Sequence, residues 1–288
     1  MRCGSGPGNA GLAMESLIGL QYLKSMPSNR PFAFILVLVV LTTSLSGGEL
    51  REPYDLLEPV AQHATGSDGW EFTVGAFGWF SSINGVSGPA GMEAPVDIEF
   101  GEILENLDMV FLANAEARRG RFALYSTVTY LAVSASEDST GPLFTQEDVD
   151  LEQIILDVRL AYRFLEGRTT ADAMIGARYM AVDTEIDFSG GDLGDLRLTE
   201  SQDWLDPLVE LRLAHQFDER WAGVIRGNVG GFGVSSELAW ELFGGISYQL
   251  KENMLIYGGY RYLNVDYDRS FVFDMEVQGI VLGAEFAF

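Results

Sequence analysis

Cysteine is almost missing from this 288-residue sequence. The single one is Cys3, which leaves no disulfide framework and no cysteine-based metal site. Histidine is nearly as scarce, with only His63 and His215, and lysine is limited to Lys24 and Lys251. Positive charge as a whole is short: 18 Lys+Arg stand against 42 Asp+Glu, for a formal charge of −24. A chain this acidic repels phosphate backbones, so nucleic acid is excluded as a partner. Long apolar runs are also lacking, apart from one stretch near the start. What is abundant is apolar and aromatic side chains, 47% and 12% of the chain, which rules out intrinsic disorder. Glycine, at 33 residues, fits a strand-rich protein with tight turns better than a helical one.

The one long apolar run is FAFILVLVVLTTSL, from Phe32 to Leu45. Its 14 residues fall short of the roughly 20 that carry a helix across a bilayer. Arg30 precedes it, and Ser44, Ser46, Gly47 and Gly48 follow it. Positive, apolar, then small is the layout of a secretory signal peptide, with cleavage expected near Ser46 or Gly47. Residues 1–25 do not fit such a signal, so Met1, Met14 and Met26 all stand as starts. The expected organisation is an extension and signal over 1–47, a polar periplasmic linker over 48–69, and one folded domain over 70–288.

From Trp70 onward the apolar residues recur with period two. In Leu151–Phe164, the side chains Ile154, Leu156, Val158, Leu160, Tyr162 and Phe164 share one face. Gln153, Asp157, Arg159 and Arg163 share the other, with Ile155 as the exception. Side chains alternate across a strand, so this is a strand with one oily and one charged face. The pattern recurs in 109–118, 169–183, 205–217 and 237–250. Ten strands are expected: 70–80, 107–118, 121–135, 150–164, 169–186, 204–217, 220–232, 237–250, 253–266 and 272–288. Eight and twelve are the neighbouring counts. Residues 81–106 read as one long first loop, in which 98–107 is a short helix that either enters the barrel mouth or lies in the loop. A membrane strand at 93–100 would break the even count.

Connector lengths alternate as well. Tight turns fall at Arg119-Gly120, at 166–168, at Asp218-Glu219 and at Lys251-Glu252, with longer polar loops at 136–149, 188–203, 232–236 and 267–271. Short turns on one side and long loops on the other are the layout of an outer-membrane barrel. The expected fold is therefore all-β: a single transmembrane antiparallel up-and-down β-barrel.

Which face meets lipid is decided by the aromatics. Phe122, Tyr162, Phe164, Phe217, Trp221 and Tyr248 sit beside the short turns. Tyr130, Tyr179, Trp204, Trp240 and Tyr262 sit near the far ends. Two such belts match two membrane interfaces. Small residues are plentiful on the apolar face, which a tightly filled soluble core would tolerate poorly. The charged face then lines the lumen with Glu116, Asp157, Arg159, Arg163, Asp172, Arg178, Glu210, Arg212, Arg226, Glu241 and Arg261. A barrel of about eight strands is just filled by its own side chains, so ten strands favour a plugged lumen over a conducting one.

The chain ends GIVLGAEFAF, with Phe286 and Phe288 on the apolar face. A last strand closing on a terminal Phe resembles the assembly signal of bacterial outer-membrane β-barrels. Residues 70–288 resemble the small-barrel group that includes the OmpA-like and opacity-type proteins. More narrowly, WEFTVGAFGWF (70–80), IEFGEILENLDM (98–109) and EARRGRF (116–122) resemble a family of exported barrels to which no activity is attached. The resemblance implies residence in the outer membrane, contact with its lipid and lipopolysaccharide, and insertion by the barrel assembly machinery.

Candidate chemistry is thin. His215 shares the apolar face with Leu213 and Phe217, at headgroup level, and His63 lies in the linker. Neither is placed as a catalytic base. The stretch GNVGGFG (227–233) opens no helical pattern and lacks phosphate-loop spacing, so its glycines mark a bend in a strand. The acidic segment DFSGGDLGDL (187–196) lacks EF-hand ligand order, but divalent cations could bridge it to lipopolysaccharide. No cofactor is called for. The expected function is non-enzymatic: a structural or surface barrel, or a narrow diffusion pathway. An outer-membrane hydrolase and a soluble lipocalin-like binder are the alternatives.

Overall fold

The computed structural model describes residues 69–288, except 92, 139–145 and 191–194. The expected signal peptide and nearly all of the linker lie outside the described residues. The described chain forms eleven strands and one short helix. The strands are β1 (Glu71–Pro89), β2 (Ala94–Ile98), β3 (Leu107–Arg119), β4 (Phe122–Asp138), β5 (Gln146–Leu165), β6 (Thr169–Ser189), β7 (Leu196–Gln216), β8 (Trp221–Gly230), β9 (Leu238–Lys251), β10 (Met254–Asp268) and β11 (Phe271–Ala287). The helix, α1, is Phe100–Glu105.

Sequential neighbours from β3 to β11 pair antiparallel, β3 pairs with β1, and β1 closes the sheet on β11. The closing ladder is long, running from Thr73↔Ala287 to Pro89↔Phe271. β2 pairs with β1 alone among the described strands, over Ile83–Ser87, and does not traverse the wall. The wall therefore has ten strands and closes on itself, with β1 and β3 laddered only over Glu71–Ala76 and Ala113–Arg118.

Burial follows the alternation. In β6 the outward Ile175 is 63% exposed, whereas the adjacent inward Met174 is 2% exposed. In β5 the inward Asp157 and Arg159 are each 1% exposed, whereas Leu160 is 53% exposed. Ionised groups are thus inside and oily ones outside, the inverse of a water-soluble barrel and the requirement of a bilayer. Among the described residues no helix is long and apolar enough to cross a membrane, and strands do the crossing.

The short turns lie at one end, together with both ends of the barrel chain. Gly120 adopts φ 56° in the two-residue turn joining Arg119 to Phe122, a conformation that suits glycine. Inside the wall, Phe243 lies over Gly259 of the next strand, where an added Cβ would come within 2.9 Å of the ring. Glycine here makes room for an inward aromatic.

Several expectations need correction. Residues 81–106 are not one loop: β1 continues to Pro89 because its alternation persists through Ile83, which packs inward. The segment at 94–98 is a hairpin partner of β1, so the count stays even. Likewise the described residues of 136–149 and 188–203 are largely strand, since β4 to β7 continue beyond the apolar band with polar residues on both faces. Backbone pairing needs no apolar side chains once the ladder stands in water. Trp204 does not belong to the outer belt: its even number in β7 turns it inward, and it is 5% exposed. Of the two placements open to the helix expected at 98–107, α1 takes the one outside the mouth. Phe100 packs on Phe80, ring centroids 5.1 Å apart, on the outward face of β1.

Candidate functional site

The lumen is the one place where the fold concentrates chemistry, and its contents divide into tiers. Inward positions near the short turns come from β3, β5, β6 and β7. Here Asp172 is a hub. It accepts from Arg163 Nε at 2.9 Å, from Arg212 Nη2 at 2.7 Å, and from Arg118 at 3.5 Å. Glu116 accepts from Arg118 Nε and Arg212 Nη1, both at 2.8 Å.

A second tier lies farther along the barrel. Asp157 receives a two-point contact from Arg178, at 2.7 and 2.9 Å, and a third contact from Arg159 at 2.5 Å. Glu241 accepts from Arg178 at 2.7 Å and Arg261 at 3.0 Å. Glu210 pairs with Arg159 at 3.1 Å and accepts from Asn228 at 3.2 Å. Arg226 lies 3.7 Å from Glu241 and 3.9 Å from Glu210. Paired two-point contacts between arginine and carboxylate are the strongest form of this interaction.

Tyr125 joins the two tiers. The guanidinium groups of Arg159, Arg212 and Arg226 stand 5.6, 5.6 and 5.7 Å from its ring centre. Its hydroxyl accepts from Arg226 at 2.7 Å. Cations over an aromatic face are attracted by its negative π surface, and desolvation strengthens that attraction.

Toward the long hairpins the lumen changes character. Ile155, Met180, Trp204, Leu263, Tyr267 and Phe273 are all buried in one cluster. Trp204 stacks on Tyr267 at 4.4 Å and meets Phe273 edge-on at 5.5 Å. Ile155, the exception to the oily-out pattern of its strand, belongs here. Arg261 bounds this tier from below, 4.2 Å from the Trp79 ring centre.

All the charged residues assigned to the lumen from sequence lie inside the barrel, grouped as above. Others that take part escaped that assignment. Arg118 was visible on the polar face of its strand. Tyr125 shares the parity of Thr127 and Thr129, and Glu285 that of Gly283. Glu285 accepts from Asn114 Nδ2 at 2.7 Å. Parity alone would have found all three. Asp206, fully buried, accepts from the Ser236 backbone N–H at 2.8 Å and from its hydroxyl at 2.5 Å, which ties β7 to the β8–β9 connection.

His215 faces outward and is exposed, its Nδ1 2.8 Å from Thr169 Oγ1 and its ring edge-on to Phe217 at 5.4 Å. The glycines of 227–233 end β8 and form a bend, with Gly231 and Gly233 at φ 84° and 72°. Of the acidic segment 187–196, residues 191–194 lie outside the description. Asp187 is taken up by Arg197 at 2.6 Å, with Glu185 on the same guanidinium at 2.8 Å. These carboxylates raise the Arg197 pKa above its usual value. Among the described residues no group of acidic, histidine or cysteine side chains is arranged to hold a metal. Phe286 pairs with Val74 in the closing ladder, and the Phe288 N–H donates to Phe72 O at 2.9 Å.

No protein-family model and no curated protein matches the chain. Solved structures similar to it are outer-membrane barrels. The outer membrane protease OmpT from Escherichia coli is 9% identical, with a TM-score of 0.43 over 78% of this chain and 99% of that one. The translocator domain of autotransporter NalP from Neisseria meningitidis is 10% identical, with a TM-score of 0.40 over 78% and 90%. Ail, the attachment invasion locus protein of Yersinia pestis, is 12% identical, with a TM-score of 0.32 over 77% and 100%. At this level the likeness concerns barrel architecture alone.

Proposed function

We propose that the protein is a non-enzymatic barrel of the bacterial outer membrane, closed to axial diffusion, with a structural or surface role. The observation that carries this reading is the burial of charged and aromatic side chains on the inward face, Asp157, Arg159, Arg178 and Trp204 among them. Two tiers of paired arginines and carboxylates occupy one part, and a packed aromatic and aliphatic tier occupies another. Water-filled channels need wider barrels, whereas small ones are occupied by their own side chains. Ions crossing the charged tiers would have to displace contacts near 2.7–3.0 Å.

A hydrolase reading would need a base poised near a nucleophile or water, and His215 points the other way, toward lipid. A soluble lipocalin-like barrel would not leave Ile175 and Ile225 more than 60% exposed on its outside. On the proposed reading, the outward band meets lipid and lipopolysaccharide. Phe286 and Phe288 present the insertion signal to the assembly machinery, and divalent cations could bridge the acidic hairpins to anionic headgroups.

Planar-bilayer recording tests the closure. The purified barrel should insert without unitary current steps. Reproducible steps of one amplitude from the wild-type protein would replace this reading with that of a narrow diffusion pathway.

A further inference from the structure

The oily outside of the wall is not evenly clad. At the outward Gly223, Gly227 and Gly258, an added Cβ would come within 2.9, 3.0 and 3.1 Å of Phe217, Leu242 and Leu282. The chain covers those three dips with its own side chains. On β6 one dip stays open. Ala173 pairs with Tyr162 of β5 on one side and Leu211 of β7 on the other, and it is exposed. Phe122, Leu160, Tyr162, Ile175 and Val209 rise around it and leave a groove of about 430 Å³. Each of these five is itself more than 40% exposed on the lipid-facing side. Walls of rings and methyl groups at membrane depth fit an alkyl chain.

One end of the groove is polar. Phe122 opens β4 directly after Arg121, and Tyr162 lies close to the end of β5 at Leu165. Arg121 Nη2 donates to Glu166 at 3.2 Å, and the Tyr162 hydroxyl is within hydrogen-bond reach of the same guanidinium. The Phe122 and Tyr162 rings pack 5.2 Å apart, which holds the arginine beside the groove. Its side chain stays 51% exposed, so guanidinium N–H groups remain open to a ligand. The β7–β8 turn repeats the clamp: Arg220 Nη1 donates to the Tyr248 hydroxyl at 3.0 Å, and Trp221 packs on that ring at 4.9 Å. There the neighbouring dip, Gly223, lies under Phe217. Only the first clamp therefore adjoins open space among these two.

We propose that the Ala173 groove holds one acyl chain of a phospholipid from the leaflet at the short turns, and that Arg121 and Glu166 select a head with a phosphodiester and a primary ammonium. The guanidinium takes the phosphate through paired N–H groups, and the Glu166 carboxylate takes the ammonium. Such a zwitterion answers both charges. A purely anionic head sets like charge against Glu166, and a quaternary ammonium offers that carboxylate no N–H. The site rests on the reading that the outward face meets lipid, and it stands whether or not the lumen conducts.

Native mass spectrometry of the detergent-solubilised barrel tests it. The barrel is incubated with equal amounts of phosphatidylethanolamine, phosphatidylcholine and phosphatidylglycerol carrying the same acyl chains. The wild type should retain one phosphatidylethanolamine, about threefold over either competitor, the ratio that a single exposed ion pair supplies. Ala173→Phe, which fills the groove, should lose that adduct, whereas Ala76→Phe, on the outward face of β1, should keep it. Glu166→Gln should bring phosphatidylethanolamine down to the level of phosphatidylcholine, and Arg121→Gln should lower all three. Heat-modifiable migration on gels certifies that each variant is folded. Equal retention of the three heads, an adduct that survives Ala173→Phe, or a preference that survives Glu166→Gln would each overturn the proposal and leave the closed lumen untouched. A barrel that stays dissolved without detergent would overturn the lipid-facing reading beneath it.

Discussion

The two ends of the lumen obey one geometric rule and opposite chemistries. Near the short turns, inward positions carry Glu116, Arg118, Arg163, Asp172 and Arg212. Near the long hairpins, the same parity carries Ile155, Met180, Trp204 and Phe273. Both ends are lined by buried side chains, but what holds them differs. Charges gain only if every partner is present, because desolvation costs several kcal/mol per unpaired ion. Apolar groups lose in proportion to the volume removed. The charged end should therefore fail abruptly on loss of one partner, and the apolar end gradually.

The largest effect is expected at the hub. Asp172→Ala leaves Arg163, Arg212 and Arg118 facing one another in a buried site, and should cost about 3–5 kcal/mol. Urea-induced unfolding from lipid vesicles measures it. A loss below 1 kcal/mol would mean that water already screens this tier.

Next is the apolar end. Phe273→Ala removes the edge contact with Trp204 and leaves a cavity, at a cost of about 3 kcal/mol. Phe273→Leu should recover most of that loss, whereas Asp172→Asn should recover little, because volume matters at one end and charge at the other. Equal recovery by both conservative variants would erase the distinction.

The smallest effect lies outside the membrane band. In the β7–β8 turn, the Asp218 carboxylate accepts from the Arg220 and Trp221 backbone N–H groups at 2.8 and 2.9 Å, which holds its pKa below the usual aspartate value. The folded form is depressed, so its stabilisation is complete above the unfolded pKa of about 4 and is lost as pH falls through the folded one. The wild-type advantage over Asp218→Ala should be present at neutral pH and shrink below pH ~4. An advantage that grows on acidification would contradict the turn assignment.

The comparison also shows what sequence conveys. Alternation of Ile154, Leu156 and Val158 against Asp157 and Arg159 states which face meets lipid, because a strand offers only two faces. The even count followed from turn spacing. Partner identity inside the lumen was not legible, because Arg178 reaches both Asp157 on β5 and Glu241 on β9 through barrel stagger, which no single strand encodes. The apolar tier was hidden for a related reason. At Ile155 and Trp204 an oily residue takes the inward parity, and in a period-two pattern such a residue reads as noise or as belt. The strand extensions beyond the membrane were missed because Thr199, Glu200 and Ser201 look like loop on either face.

The claim on which the rest depends is that hydrocarbon meets the odd-numbered face of β6 while the even-numbered face is enclosed. Nitroxide labels at single cysteines replacing Ala173, Met174, Ile175, Ala177, Tyr179, Met180 and Val182, in lipid vesicles, measure this directly. Odd positions should collide with oxygen dissolved in the bilayer and not with an aqueous nickel reagent, and even positions should collide weakly with both. Odd positions open to the aqueous reagent would contradict the account.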